Sequence, residues 1–325
     1  MPGKLGMGVY RYDEGLADDV VRSGARGCLL MDDALGHASY IKDRVPGMTI
    51  VGRNFMDEGP SLEILNASPD ERYTRSYNWG RELATRHPAV DVWQGFNELY
   101  APGLYDRLAR QVHAEAGFTH GCVSAGRQSC VINTSTDSYP QPWHGDFDTY
   151  VNIIAPLLLD GGVRFLGIHA YGSDANPRLN APDWPDNACR YRSLVQGMRD
   201  RGYHVPQIFI TEYGQRWGWK REGFGEQGCI DDFLFAGQKW DEDEIMFGAA
   251  NFLHGTIDPG HWDSFDTAGT NIMRQVSCWN VGQYPCEDGP PPPPPPPPSG
   301  GSLGVAIFAL VAAGVFAGAY YLTKD

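Results

Sequence analysis

Eight short apolar runs, each followed by turn residues and most separated by a helix-patterned segment, are the feature that most limits the folds open to this chain. They are Met7 to Tyr10, Gly27 to Met31, Met48 to Val51, Val92 to Glu98, Gly121 to Ser124, Arg164 to His169, Ile208 to Gly214 and Ala249 to Leu253. Helical patterning covers Ala38 to Val45, Ser68 to Arg86, Leu104 to Ala116, Asp148 to Leu159, Tyr191 to Arg201 and Trp240 to Phe247. The start at Ser68-Pro69-Asp70-Glu71 is well marked: a capping hydroxyl, a proline in the first turn and a glutamate three residues after the cap. Strands that alternate with helices pair in parallel, and a repeat of about 35 residues suits a closed (β/α)8 TIM barrel. A doubly wound sheet is the rival architecture. It would place a glycine-rich turn after the first strand, where Tyr10-Arg-Tyr-Asp-Glu-Gly15 stands instead.

Two of the runs end in the same way. Val92-Trp-Gln-Gly-Phe-Asn-Glu98 and Ile208-Phe-Ile-Thr-Glu-Tyr-Gly214 each deliver a carboxylate to a strand's C-terminal end, where a barrel keeps its chemistry. His169 closes the sixth strand, with Tyr171 just beyond it. Two carboxyl groups in unlike environments suit glycosidic bond cleavage: one protonates the leaving oxygen while the other attacks the anomeric carbon. The plainer alternative is a pair of strand-end carboxylates in ion pairs with the surrounding helices.

Phe96-Asn97-Glu98 on the fourth strand and Ile210-Thr211-Glu212 on the seventh resemble the clan A glycoside hydrolases, (β/α)8 retaining enzymes without a metal cofactor. The resemblance implies that Glu98 is the acid/base, Glu212 the nucleophile and Asn97 the donor to the sugar 2-hydroxyl. His169-Ala-Tyr171 resembles the clan's His-x-Tyr, whose tyrosine hydrogen-bonds the nucleophile. The clan's early-strand arginine corresponds to Arg53 or Arg11. Tyr213 and Trp217, with Trp219, follow Glu212 and are candidates for a sugar platform. Two features depart from the clan: Leu99 stands where a proline follows Asn-Glu, and the eighth strand has no tryptophan. Trp262 is the candidate to fold back in its place. The substrate implied is a β-linked glycan; a catalytically silent carbohydrate binder on the same barrel is the competing function.

The formal net charge of −14 argues against nucleic acid, and there is no zinc-type cysteine spacing. Nine Trp and sixteen Tyr supply rings for sugars and for cores alike. Among seven cysteines, Cys122/Cys130 and Cys278/Cys286 are spaced to close small loops, while Cys28 and Cys122 fall on predicted strands. Asp32 and Asp33 with His37 read as a solvated loop rather than a metal site. Asn66-Ala-Ser68 and Asn133-Thr-Ser135 match the glycosylation pattern without further support.

The barrel is expected to occupy residues 1–288. Nine prolines, Pro290 to Pro298, lie within a linker over 289–301 and form a polyproline rod of roughly 28 Å. Residues 302–325 read as a single transmembrane helix and short tail, uncharged from Leu303 to Leu322 with Tyr320 and Tyr321 at the interface. Glu287-Asp288 before the span and Lys324 after it favour a membrane-anchored enzyme with its catalytic domain outside. No signal-peptide pattern precedes the first strand, which runs against that orientation and leaves two readings open: a true start upstream, or insertion by the tail with the domain facing the cytosol.

Overall fold

The computed structural model describes residues 3–56, 58–135, 138–180, 187–258, 260 and 262–286. The expected linker and membrane helix lie outside them. Among the described residues, no helix is long and apolar enough to cross a membrane.

Eight parallel strands close into a barrel in sequence order: β1 (Leu5–Val9), β2 (Gly27–Met31), β3 (Thr49–Arg53), β4 (Val92–Gln94), β5 (Gln128–Thr134), β6 (Val163–Tyr171), β7 (Gln207–Gly214) and β8 (Met246–His254). Successive strand residues point to opposite faces. One set fills the lumen: Leu29, Met31, Val51, Val92, Cys130, Phe165, Phe209 and Ala250. The other packs against the helices in a larger cluster containing Leu5, Met7, Ile50, Trp93, Ile208 and Ile210. β1 pairs with β8 as well as with β2, which completes the ring. Asn280, ending helix Ile272–Asn280, locks this closure by donating Nδ2 to Leu5 O (2.6 Å) and Ser23 O (2.8 Å).

The helix from Pro69 to Arg86 starts as its sequence dictates, with Ser68 Oγ accepting from the Glu71 amide at 3.4 Å. Such a cap stabilises a helix by about 1 kcal/mol. Three expectations need correction. Gly121 to Ser124 is not the fifth strand but the last turn of helix Tyr105–Ser124, and β5 begins at Gln128. Its glycines bring two helices together: a Cβ on Gly117 or Gly121 would meet Tyr73 O at 2.6 Å or Tyr77 O at 2.1 Å. Tertiary packing here outweighs the strand preference of Cys122 and Val123. Next, Trp240 to Phe247 is not helical throughout. A helix over Gly225–Asp241 precedes β8, and Phe247 belongs to that strand. Lastly, β4 is only three residues long, so Glu98 stands beyond the paired strand.

Cys278 and Cys286 form a disulfide, whereas Cys122 and Cys130 are separate buried thiols. Asp32 Oδ1 accepts from Asn54 Nδ2 (3.0 Å) and Phe55 N (2.8 Å), and His37 Nε2 accepts from Asp13 N at 2.8 Å. These acidic and imidazole groups brace the loops after β1, β2 and β3.

Candidate active site

Glu212 owes its direction to an irregularity in β7. Ile208 and Ile210 face the helices and Phe209 the lumen. Strict alternation would therefore send Glu212 outward. Ile168 pairs with Ile210, but His169 pairs with Glu212, so β7 holds one residue more than β6 at Thr211. This bulge re-aims Glu212 into the barrel mouth and turns Tyr213 to the helices. Tyr213 is accordingly 0% exposed, packed edge-on against Phe233 and Trp240. It is a core residue, not the sugar platform expected from its place beside Glu212.

Both carboxylate oxygens of Glu212 are occupied. Arg53 Nη1 donates to Oε1, and Tyr171 donates its hydroxyl to Oε2 at 2.8 Å. His169 Nδ1 lies 3.5 Å from Oε2 and 2.7 Å from Glu98 Oε1, so a single imidazole nitrogen stands between the two glutamates. Arg53 is thus the early-strand arginine that joins the site. Arg11 pairs with Asp13 at the surface instead.

Glu98 reaches this position with φ +49, in the left-handed region, and its amide donates to Asn133 O at 3.0 Å. Its side chain is 42% exposed, against 9% for Glu212. Asn97 is half-buried and accepts from Gln94 Nε2 through Oδ1 at 2.9 Å.

The electrostatics follow from this packing. Burial alone would raise the Glu98 carboxyl, but His169, Arg53 and a hydrogen bond from Ser135 outweigh it and hold the group below its usual range. Burial would likewise lower His169, and the two glutamates reverse the direction. The two groups thus favour the imidazolium–carboxylate form of the His169–Glu98 contact and titrate as a pair. Desolvation and the same two carboxylates push the Tyr171 hydroxyl well up, which keeps it a donor.

Aromatic residues complete the mouth. Phe252, from β8, packs against Tyr171, Phe265 and Trp262. Trp262 does fold back onto the eighth strand, with its ring 5.2 Å from that of Phe252. Trp217 is 46% exposed in the loop after β7, with the guanidinium groups of Arg216 and Arg221 over its ring. Phe252, Phe265 and Ser135 escaped the sequence analysis. Only Phe252, on a strand expected to end beneath the sugar, carried a usable signal.

No family model matches the sequence, and no curated protein matches it at a significant level. Solved structures do. The chain is similar to a GH113 β-1,4-mannanase at 12% identity and a TM-score of 0.52, over 86% of this chain and 99% of the mannanase. It is similar to a family 5 xyloglucanase from Paenibacillus pabuli at 10% identity and a TM-score of 0.55, over 86% and 99%. A β-glucuronidase from Ruminococcus gnavus is matched at 13% identity and a TM-score of 0.55, over 86% of this chain and 49% of that one. The chain thus spans about half the length of the glucuronidase. At these identities the likeness establishes the shared eight-stranded barrel.

Proposed function

We propose that this chain is a retaining glycoside hydrolase that cleaves a β-linked oligo- or polysaccharide, with Glu212 as nucleophile and Glu98 as acid/base. The observation that carries the proposal is the single nitrogen, His169 Nδ1, in contact with both carboxylates. Because both contacts end on that atom, the two oxygens lie no farther apart than 2.7 Å and 3.5 Å combined, about 6.2 Å. Inverting enzymes need roughly 6.5–9.5 Å to admit a water, whereas retaining ones work at about 5–5.5 Å. The barrel's resemblance to the mannanase and the xyloglucanase supports the same reaction class.

The chemistry runs as follows. Glu212, paired with Arg53 and oriented by Tyr171, attacks the anomeric carbon. The bond to the leaving oxygen breaks, and Glu98 supplies that oxygen with the proton of the His169–Glu98 pair. A covalent glycosyl ester on Glu212 results. Water then attacks the same carbon, Glu98 takes its proton, and Glu212 is released as carboxylate. Asn97 and Trp262 are proposed to bind the sugar; Trp217 does so once its two arginine neighbours give way to the substrate. No step calls on a metal or cofactor.

Residues 1–288 would form the catalytic domain, 289–301 a spacer and 302–325 a membrane anchor, holding the site near a surface glycan. The test is reducing-end release from a panel of β-mannans, β-glucans and xyloglucan, with product stereochemistry followed by NMR. Release with retained configuration supports the proposal. Inverted product would overturn the mechanism, and no release from any glycan the protein binds would leave a silent carbohydrate binder. For the anchor, partition of the full chain into detergent beside the chain ending at residue 289 is the check. Equal partition would remove it.

A further inference from the structure

Behind Glu98 lies a buried carboxyl that the bond-breaking pair does not use. Glu115, in helix Tyr105–Ser124, is 0% exposed. Its Oε1 accepts from the Ile132 amide at 3.3 Å, and the Phe96 amide also faces the carboxyl. Gln111, one turn earlier on the same face of the helix, donates Nε2 to Ile132 O at 3.3 Å. Both backbone groups of Ile132 are therefore gripped from this one helix.

Ile132 needs the grip. It sits at φ +74, a conformation that a β-branched residue adopts only when its surroundings impose it. Asn133 follows at φ +35, and the two form an irregularity at which β5 carries an extra residue relative to β6. Asn133 O then accepts the Glu98 amide at 3.0 Å, while its Nδ2 donates to Phe96 O (3.3 Å) and Cys130 O (3.1 Å). The other side is closed by Gly95, where a Cβ would lie 2.7 Å from Glu115 Oε2. The line of contacts runs from helix to bulge to the backbone of Glu98 without a gap.

We propose that Glu115, with Gln111, is a positioning residue for Glu98: it locks the Ile132–Asn133 bulge whose carbonyl sets the backbone from which the acid/base projects. The proposal rests on the glycosidase function above. Burial pushes the Glu115 carboxyl up to about 8, so near neutral pH it serves as an uncharged partner.

The experiment compares Glu115→Leu, which removes the acceptor, with Glu115→Gln, which keeps a carbonyl for the Ile132 amide. Each is measured in the full chain in two ways. One is amide hydrogen exchange at Ile132 and Glu98. The other is kcat and KM on aryl β-glycosides (gluco, manno and xylo) with a poor leaving group, phenyl, or a good one, dinitrophenyl, which departs without a proton. Glu115→Leu is expected to speed exchange at both amides and to lower kcat on the phenyl glycoside by up to about 10²-fold at nearly unchanged KM. It should leave kcat/KM for the dinitrophenyl glycoside, which reports only the first step, near the parent value, although kcat there falls because Glu98 is also the base of the second step. Glu115→Gln should restore both readouts. Equal losses of kcat/KM on both leaving groups, or unchanged exchange at Glu98, would overturn the proposal. If Glu115→Leu does not fold, Gln111→Met, which frees the Ile132 carbonyl alone, is held to the same criteria. Glu98→Gln is run in parallel. Absence of leaving-group dependence in that variant would count against the glycosidase function itself, while the exchange data still judge the positioning role.

Discussion

Arg53 and Glu212 meet across the barrel mouth from β3 and β7, strands on opposite walls of the eight-membered ring, with side chains 5% and 9% exposed. An ion pair so far out of water is costly to break from one side, because the remaining charge is left without a partner. Arg53→Met is expected to destabilise the fold by about 3 kcal/mol and to abolish turnover. Adding Glu212→Gln should recover part of the stability but none of the activity. Urea unfolding of the two single variants and the double variant, read as a cycle, checks this. Purely additive losses would mean the pair is not coupled.

The two glutamates should fail differently. Glu98→Gln is expected to lower kcat on unactivated substrates by roughly 10²–10⁴-fold. Glu212→Gln should lower it at least ~10³-fold whatever the leaving group, since no covalent intermediate can form. Stopped-flow detection of a phenolate burst separates them: present in Glu98→Gln with an activated substrate, absent in Glu212→Gln.

Tyr171→Phe removes the hydroxyl that donates to Glu212 at 2.8 Å while leaving the ring against Phe252 and Phe265. A hydrogen bond to a charged group contributes about 1.5–3 kcal/mol, so kcat should fall about 10–100-fold and Tm by a few degrees. A Tm loss without a kcat effect would make the residue a packing group only.

The His169–Glu98 pair titrates in two opposite senses. His169 is raised above its ordinary value of 6.5, so its stabilising effect is whole below pH 6.5 and lost as pH rises through the raised value. Glu98 is held below its ordinary value of 4.5, so its effect is whole above pH 4.5 and lost as pH falls through the lowered value. The pair is most stabilising between those ordinary values. The alkaline limb of kcat/KM should lie above pH 6.5, and His169→Asn should remove it. A pH–rate profile of the two proteins decides.

Glu115 acts in the other direction. With its carboxyl raised from 4.5 to about 8, the folded protein holds a proton there that the unfolded chain has released. Stability should therefore fall as pH rises from 4.5 to 8, by up to about 1.4 kcal/mol per pH unit from this group. Glu115→Gln should remove that slope. Denaturant midpoints measured across the range would show it.

Much of the barrel and its carboxylate pair was legible in the chain because both follow from local pattern. Apolar runs alternate with helices, and Glu98 and Glu212 stand at or just past the ends of the fourth and seventh strands. The losses came where contacts between distant segments set the outcome. Gly121-Cys122-Val123-Ser124 has strand propensity, yet its glycine allows a helix to approach the carbonyl of Tyr77. Tyr213 was misassigned because an extra residue at Thr211 reverses which side chain enters the lumen, and nothing in Ile210-Thr211-Glu212 announces a bulge. Arg53 could not be separated from Arg11 until the register placed one against Glu212 and the other at the surface. Glu115 was invisible for the same reason, since in sequence it looks like any helical glutamate.

The ring closure at β1 has a consequence for how the protein is made. The partners that β1 requires, β8 and Asn280, are among the last parts of the described chain to be synthesised. At typical translation rates, one edge of β1 waits on the order of 10–50 s for its neighbour on the ribosome. During that interval the nascent chain is an open sheet with a bare margin, the state most exposed to mispairing with other chains. Folding yield in the cell should therefore depend on whatever shields that margin during synthesis.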